Sequence, residues 1–271
     1  MTTMKTLKVK CPAGEIALQV RGEQDAPAVL MSHSILSSGA MWSEQATLLA
    51  QRGLQVICAD TRGHGESSAP SAPYTMDDLV ADAVAVLDAL DIERAHLVGL
   101  SLGGMMGFGL GILHPRRVAS LVLCDARADA PPSVAAPWDE RMQMALREGC
   151  ASLAVATTER WFGKPFLAAH PGLAQRFREG VAATSVEGFV GCARAIQRLD
   201  YLPRVSQIQA PTTLIVGAND GPLPQAMADL QKLIPGSVLE VIADAGHLPN
   251  IDQPAAFEAA LLRHFERVHP Q

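Results

Sequence analysis

A chain of 271 residues, 48% hydrophobic and 18% charged, is long enough for one large core with an insertion, or for two small domains. A formal net charge of −6 and the lack of any run of basic residues argue against nucleic acid and anionic membranes as partners. No apolar stretch is long enough to span a bilayer, and the opening "MTTMKTLKVKCPAGE" lacks the apolar centre of a secretory signal.

In chain order, "LKVKC" and "EIALQVRG" alternate apolar and polar residues around Pro12 and Gly14, which predicts an antiparallel hairpin at a sheet edge. The pattern then changes to short runs of Val, Ile and Leu: "PAVLMS", "LQVICA", "AHLVGL", "VASLVLC", "TTLIVG" and "VLEVIA". Such runs suit strands buried on both faces of a parallel sheet. Helical segments fall between them: "MWSEQATLLAQR", "TMDDLVADAVAVLDALDI" with Thr75 and Asp78 spaced as a capping box, "LGGMMGFGLGILHP" ending at Pro115, and the terminal "PAAFEAALLRHFERV". The alternation predicts an α/β fold with a mostly parallel, twisted sheet and helices on both faces.

One stretch breaks the rhythm. From Arg127 to Leu202 no strand-like run occurs, and "PWDERMQMALREG", "SLAVATTERWF" and "LAQRFREGVAATSVEGFVGCARAIQRL" read as helices. The chain therefore divides into a first part of the α/β core (1–126), a helical insertion (127–202) and the rest of the core (203–271). The cysteines, Cys11, Cys58, Cys124, Cys150 and Cys192, are odd in number and form no CxxC pair. They read as reduced thiols, which fits a cytoplasmic protein.

"LVGLSLGGMMG" surrounds Ser101 with Gly99, Gly103, Gly104 and Gly107. A strand runs into this G-x-S-x-G and a helix runs out, the setting of a nucleophile elbow whose turn is too tight for side chains beside the serine. A serine hydroxyl needs a base. His247, in "IADAGHLPNIDQP", follows the last strand-like run at the sheet end where the elbow opens, and is the preferred base. His264 and His269 fall on the terminal helix, where solvent is expected, and His33 falls in "LMSHSILSS", the loop after an early strand. The remaining histidines have no obvious part in proton transfer. The base needs a carboxylate to orient it. Asp220, in "TTLIVGANDGPLP", is preferred, giving the order Ser101, Asp220, His247, and Asp125 at the end of "SLVLCDA" is its rival. The oxyanion would be held by the Leu102 N–H and by an N–H from "LMSHSILSS", with Ile35 ahead of Ser34, each worth roughly 3–4 kcal/mol in the transition state.

These residues resemble the α/β-hydrolase superfamily over essentially the whole chain. "HSILSSGAMW" is similar to its His-Gly oxyanion segment with a downstream tryptophan, Trp42, although Ser34 stands where glycine is usual. "DTRGHGESS" resembles its Asp-x-Arg-Gly-x-Gly-x-Ser loop through Asp60, Arg62, Gly63, Gly65 and Ser67. "GANDGPLP" and "GHLPNIDQPAAF" resemble the acid and histidine loops, the latter with Pro254 and Phe257. Within the superfamily the chain resembles 3-oxoadipate enol-lactonases, through "DTRGHGESSAPSAPYTMDDLVADAVAVLDAL", "SLVLCDARA" and an insertion with Trp138, Arg141, Gly149 and "ERWFG".

The resemblance implies an α/β-hydrolase fold with a helical cap, and hydrolysis of an ester or lactone through a Ser101 acyl-enzyme. It implies His33, Trp138 and Arg141 as substrate contacts. An enol-lactone of a dicarboxylic acid carries a free carboxylate that a guanidinium binds bidentately. Trp138 and Arg141 share a helix face, and could equally be a cap anchor and a solvated arginine. A cofactor-free haloperoxidase or perhydrolase, a carbon–carbon bond hydrolase and a non-catalytic small-ligand receptor remain as alternatives. Apart from a small-molecule substrate no ligand is implied. HExxH and a strong Cys/His cluster are absent, and "GLSLGG" lacks dinucleotide-binding spacing, so neither metal nor organic cofactor is expected.

Overall fold

The apolar runs become strands of one eight-stranded sheet in the computed structural model, which describes residues 4–12 and 14–268. The strands are β1 (Lys5–Cys11), β2 (Gly14–Arg21), β3 (Ala28–Ser32), β4 (Gln55–Ala59), β5 (Ala95–Leu100), β6 (Val118–Cys124), β7 (Thr212–Gly217) and β8 (Val238–Ile242). Their order is β1-β2-β4-β3-β5-β6-β7-β8. β1 and β2 form an antiparallel hairpin at one edge, and from β4 to β8 neighbours run parallel. Every residue of β3, β5 and β7 is buried, as double-sided packing requires. β8 departs from that expectation. It forms the far edge and leaves Val238 and Val241 exposed, because only β7 pairs with it.

The helices are α1 (Ser43–Gln51), α2 (Met76–Ala89), α3 (Leu102–Leu113), α4 (Pro132–Ala135), α5 (Pro137–Glu148), α6 (Ala154–Phe162), α7 (Lys164–Ala169), α8 (Pro171–Ala183), α9 (Val186–Gln197), α10 (Leu223–Leu233), α11 (Pro249–Asp252) and α12 (Pro254–Val268). α1 and α12 share one face of the sheet, tied by Gln45 Nε2 to Glu258 at 3.0 Å. α2, α3 and α10 cover the other. α2 opens on a complete capping box: the Asp78 N–H donates to Thr75 Oγ1 and the Thr75 N–H to Asp78 Oδ2.

The long reading "LAQRFREGVAATSVEGFVGCARAIQRL" is two helices rather than one. α8 stops before Thr184, and Ser185 Oγ caps α9 by accepting the Gly188 N–H at 3.2 Å. His264 is not solvated but 2% exposed. Its ring nitrogens meet Ser120 Oγ at 2.7 Å and Thr213 Oγ1 at 2.8 Å, because this face of α12 packs on β6 and β7. His269 lies outside the described residues.

α4 to α9 form a continuous helical segment between β6 and β7. Its ends meet: the Ala130 N–H donates to Leu199 O, and the Tyr201 and Leu202 N–H groups to Ala128 O. α9 docks on the loop after β4 so closely that a Cβ on Gly188 would lie 2.3 Å from Gly63 O. No helix among the described residues is long and apolar enough to cross a membrane.

Candidate active site

The sheet's carboxyl edge gathers Ser101 after β5, Asp125 after β6, Asp220 after β7 and His247 after β8. Ser101 sits at φ +55°, ψ −111°, a conformation L-residues rarely adopt. The glycines around it make the turn possible. A Cβ on Gly99 would lie 2.3 Å from Gly103 O, and one on Gly103 would lie 2.3 Å from Ser32 O. The Ser101 N–H donates to Cys124 O at 2.8 Å and the Gly103 N–H to His33 O at 3.1 Å, so the elbow is clamped to the strands on either side.

His247 is buried and its Nδ1 donates to Asp220 Oδ2 at 2.6 Å. Its Nε2 has no hydrogen-bond partner among the described residues, leaving a lone pair free for an incoming proton. Burial pushes the imidazole below the ordinary histidine range, and the Asp220 charge offsets part of that. Against the upward push of burial, the His247 ring and the Arg160 guanidinium hold Asp220 below the usual carboxylate range. Asp125 is fully buried, and its Oδ1 accepts the Gly217 N–H at 2.9 Å.

Asp125, Asp220 and His247 each bring one ligand-type atom within 4.8 Å of the others, near enough for a metal ion. A cation there would have to displace the Nδ1–H of His247 from Asp220, so the arrangement suits an oriented base better than a metal centre.

The Leu102 N–H opens α3 and the Ile35 N–H lies in the loop after β3. Neither donates to another group among the described residues. Ser34 Oγ is buried without a hydrogen-bond partner among the described residues. His33 is not free to touch a substrate through its ring nitrogens. Nε2 accepts the Thr61 N–H at 2.8 Å and Nδ1 donates to Ser34 O at 2.7 Å, so the ring braces the loop after β3 against the loop after β4. Burial lowers its pKa to about 4, which keeps that ring neutral. Asp60 and Arg62 of "DTRGHGESS" are likewise held in contacts within the fold. Asp60 accepts the Gly39 and Glu66 N–H groups, and Arg62 makes a buried two-pronged ion pair with Asp82 at 2.6 and 2.8 Å.

The helical segment reaches the same site. Trp161 O accepts the His247 N–H at 2.8 Å. Arg160, which sequence reasoning did not single out, places Nη1 3.9 Å from Asp220 Oδ1. Its only advance signal was its place in "ERWFG". On α5 the Arg141 guanidinium lies 5.0 Å from the centre of the Trp138 ring. Burial and then the charge of Arg160 lower the pKa of Arg141, so each guanidinium feels the charge of the other.

The family model for the alpha/beta hydrolase fold matches residues 27–254. The chain is 35% identical to 3-oxoadipate enol-lactonase 2 of Acinetobacter baylyi over 243 residues, 89% of each chain. It superposes on the enol-lactonase of Burkholderia xenovorans with a TM-score of 0.91 at 31% identity, covering 96% of this chain and 99% of that one. It superposes on a thermophilic esterase of Thermogutta terrifontis with a TM-score of 0.89 at 28% identity, covering 98% and 99%.

Proposed function

The chain belongs to the alpha/beta hydrolase family, and from that membership we propose that it is a serine hydrolase that opens an ester or lactone through an acyl-enzyme on Ser101. Its relatives include proteins named as 3-oxoadipate enol-lactonases, so hydrolysis in general follows from kinship, and the enol-lactone is the substrate class we assign. The observation that carries the mechanism is the buried His247, with Nδ1 on Asp220 at 2.6 Å and Nε2 unpaired at the edge where the Ser101 elbow opens.

In this reading Ser101 Oγ attacks the carbonyl carbon and passes its proton to His247 Nε2. Asp220 stabilises the imidazolium. The Leu102 and Ile35 N–H groups receive the oxyanion. Collapse breaks the acyl C–O bond, and His247 returns the proton to the departing enol oxygen. Water then attacks the acyl-enzyme with His247 again as base, releasing the acid and restoring Ser101. The Arg141 guanidinium over Trp138 supports a substrate whose far end is a carboxylate.

A fluorophosphonate probe tests the nucleophile. It is expected to attach to Ser101 of the intact protein, and Ser101→Ala is expected to lose both labelling and ester hydrolysis while remaining folded by circular dichroism. Labelling at another residue, or activity retained in the alanine variant, overturns the reading.

A further inference from the structure

Asp125 has no step in the reaction above, yet its surroundings are unusual for a spare acid. It is fully buried and its backbone is held at φ +44°, in the left-handed region that costs an aspartate energy. The Asp125 N–H donates to Ile215 O at 2.9 Å, and Oδ1 accepts the Gly217 N–H. Oδ2 is buried with no hydrogen-bond partner among the described residues, while the carboxyl group lies in the cluster it shares with Asp220 and His247.

A second negative charge there has no counter-ion among the described residues. Asp220 is already the ion that accepts from His247 Nδ1, and Arg160 approaches Asp220 rather than Asp125. Asp252, from α11, adds charge of the same sign, and Arg127, two residues along, is paired with Asp129 at 2.8 Å. Two buried carboxylates this close do not both ionise at modest cost, and a proton on the orphaned oxygen removes the conflict.

We infer, on the premise that Asp220 is the acid of the triad, that Asp125 is a positioning residue: a neutral carboxylic acid whose Oδ2–H donates to the Asp220 carboxylate and fixes it behind His247. Burial, and after it the charge of Asp220, push the Asp125 carboxyl well above the ordinary carboxylate range, and the same contact helps keep Asp220 ionised. A neutral brace orients Asp220 without adding charge to the relay, so it holds the geometry and leaves the basicity of His247 to Asp220, Arg160 and burial.

The test compares Asp125→Asn with Asp125→Leu, using pH profiles of kcat/KM on a neutral aryl ester. Asparagine keeps an acceptor for the Gly217 N–H and supplies an N–H to Asp220 without charge. It is expected to stay within about threefold of the unaltered enzyme with an unmoved acidic limb, whereas leucine is expected to lower kcat by about tenfold with little change in KM. An ionised Asp125 gives a different result. Its removal in Asp125→Asn would weaken the imidazolium and move the acidic limb to lower pH, which overturns the inference. Near-normal activity in both variants overturns it too. If leucine fails to fold, infrared spectroscopy decides. The carbonyl stretch of a protonated carboxylic acid is expected at neutral pH and is lost in Asp125→Asn, and its absence from the unaltered protein sinks the proposal. A collapse of activity in Asp125→Asn with Asp220→Asn nearly silent means something else. Asp125 would then be the acid of the triad, and the assignment of Asp220 fails.

Discussion

Two regions meet at Ser101, and they are built differently. On the sheet side nothing has slack. The elbow is held by Gly99 and Gly103 where any Cβ would collide with backbone, the Ser101 N–H is bound to Cys124 O, and the Asp220–His247 pair is buried at 2.6 Å. On the helical side Trp161 O meets the His247 N–H at 2.8 Å, but the charged side chains that reach inward are longer and more exposed. Arg160 is 43% exposed at 3.9 Å from Asp220, and Arg141 rests half-buried over Trp138. Rigid short-range geometry suits the group that must react. Long cationic side chains on helices suit the choice of what reacts. Substitutions at the strand ends should therefore remove turnover for every substrate, and substitutions in the helices should change which substrates are preferred.

After loss of Ser101, the largest effect that can break this division is expected at Asp220, the acid of the proposed mechanism. Asp220→Asn deprives His247 of the acceptor that fixes its tautomer, and kcat is expected to fall by about 10⁴ on charged and neutral substrates alike. Steady-state kinetics on a lactone and an aryl acetate read this directly. A loss confined to one of them would move Asp220 from chemistry to recognition.

The two regions also differ in how far they could be read from the sequence. The elbow is legible because backbone sterics force its glycines, and the sheet because doubly buried strands must be apolar throughout, as in "TTLIVG". "VLEVIA" has the same apolar look, but its edge position depends on strand order, which local pattern does not carry. Chain order ranks Asp220 ahead of Asp125, but both follow buried strands, and local pattern does not say which carboxylate meets the histidine. The distance to His247 Nδ1 is a property of the folded loops. His264 reads as solvated on a terminal helix because its partners, Ser120 and Thr213, are 144 and 51 residues away in the chain. His33 reads as a site residue from its motif, and only the structure reveals that backbone occupies both ring nitrogens. Arg160 was missed because nothing in "ERWFG" tells which side of α6 faces Asp220.

Arg141→Ala sharpens the comparison from the helical side. Removing the guanidinium over Trp138 is expected to lower kcat/KM for a carboxylate-bearing enol-lactone by at least about tenfold, or ~1.4 kcal/mol. Hydrolysis of a neutral aryl acetate should hardly change, because that substrate offers the cation nothing to bind. Equal losses on both would make Arg141 a packing residue of α5, and no loss on either would remove it from the site.

The smallest expected effect tests whether the helices touch the chemistry as well as the substrate. Arg160 stands 3.9 Å from Asp220 Oδ1, and its charge disfavours the imidazolium. In the proposed mechanism His247 must be neutral to act as base, so activity is expected to fall as the pH drops through its pKa, which burial sets below the usual histidine value. Arg160→Gln removes a positive charge. The imidazolium becomes easier to form, and the acidic limb of kcat/KM for a neutral ester should move to higher pH by a few tenths of a unit. Because the guanidinium is partly exposed, salt should screen its effect, and the two profiles should converge near 1 M salt, where the screening length is about 3 Å. A neutral ester excludes a direct contact between Arg160 and a substrate carboxylate from the measurement. A limb that moves to lower pH, or that stays fixed while kcat falls, would make Arg160 a scaffold for the loop carrying Asp220 and leave the tuning of His247 wholly to the sheet side.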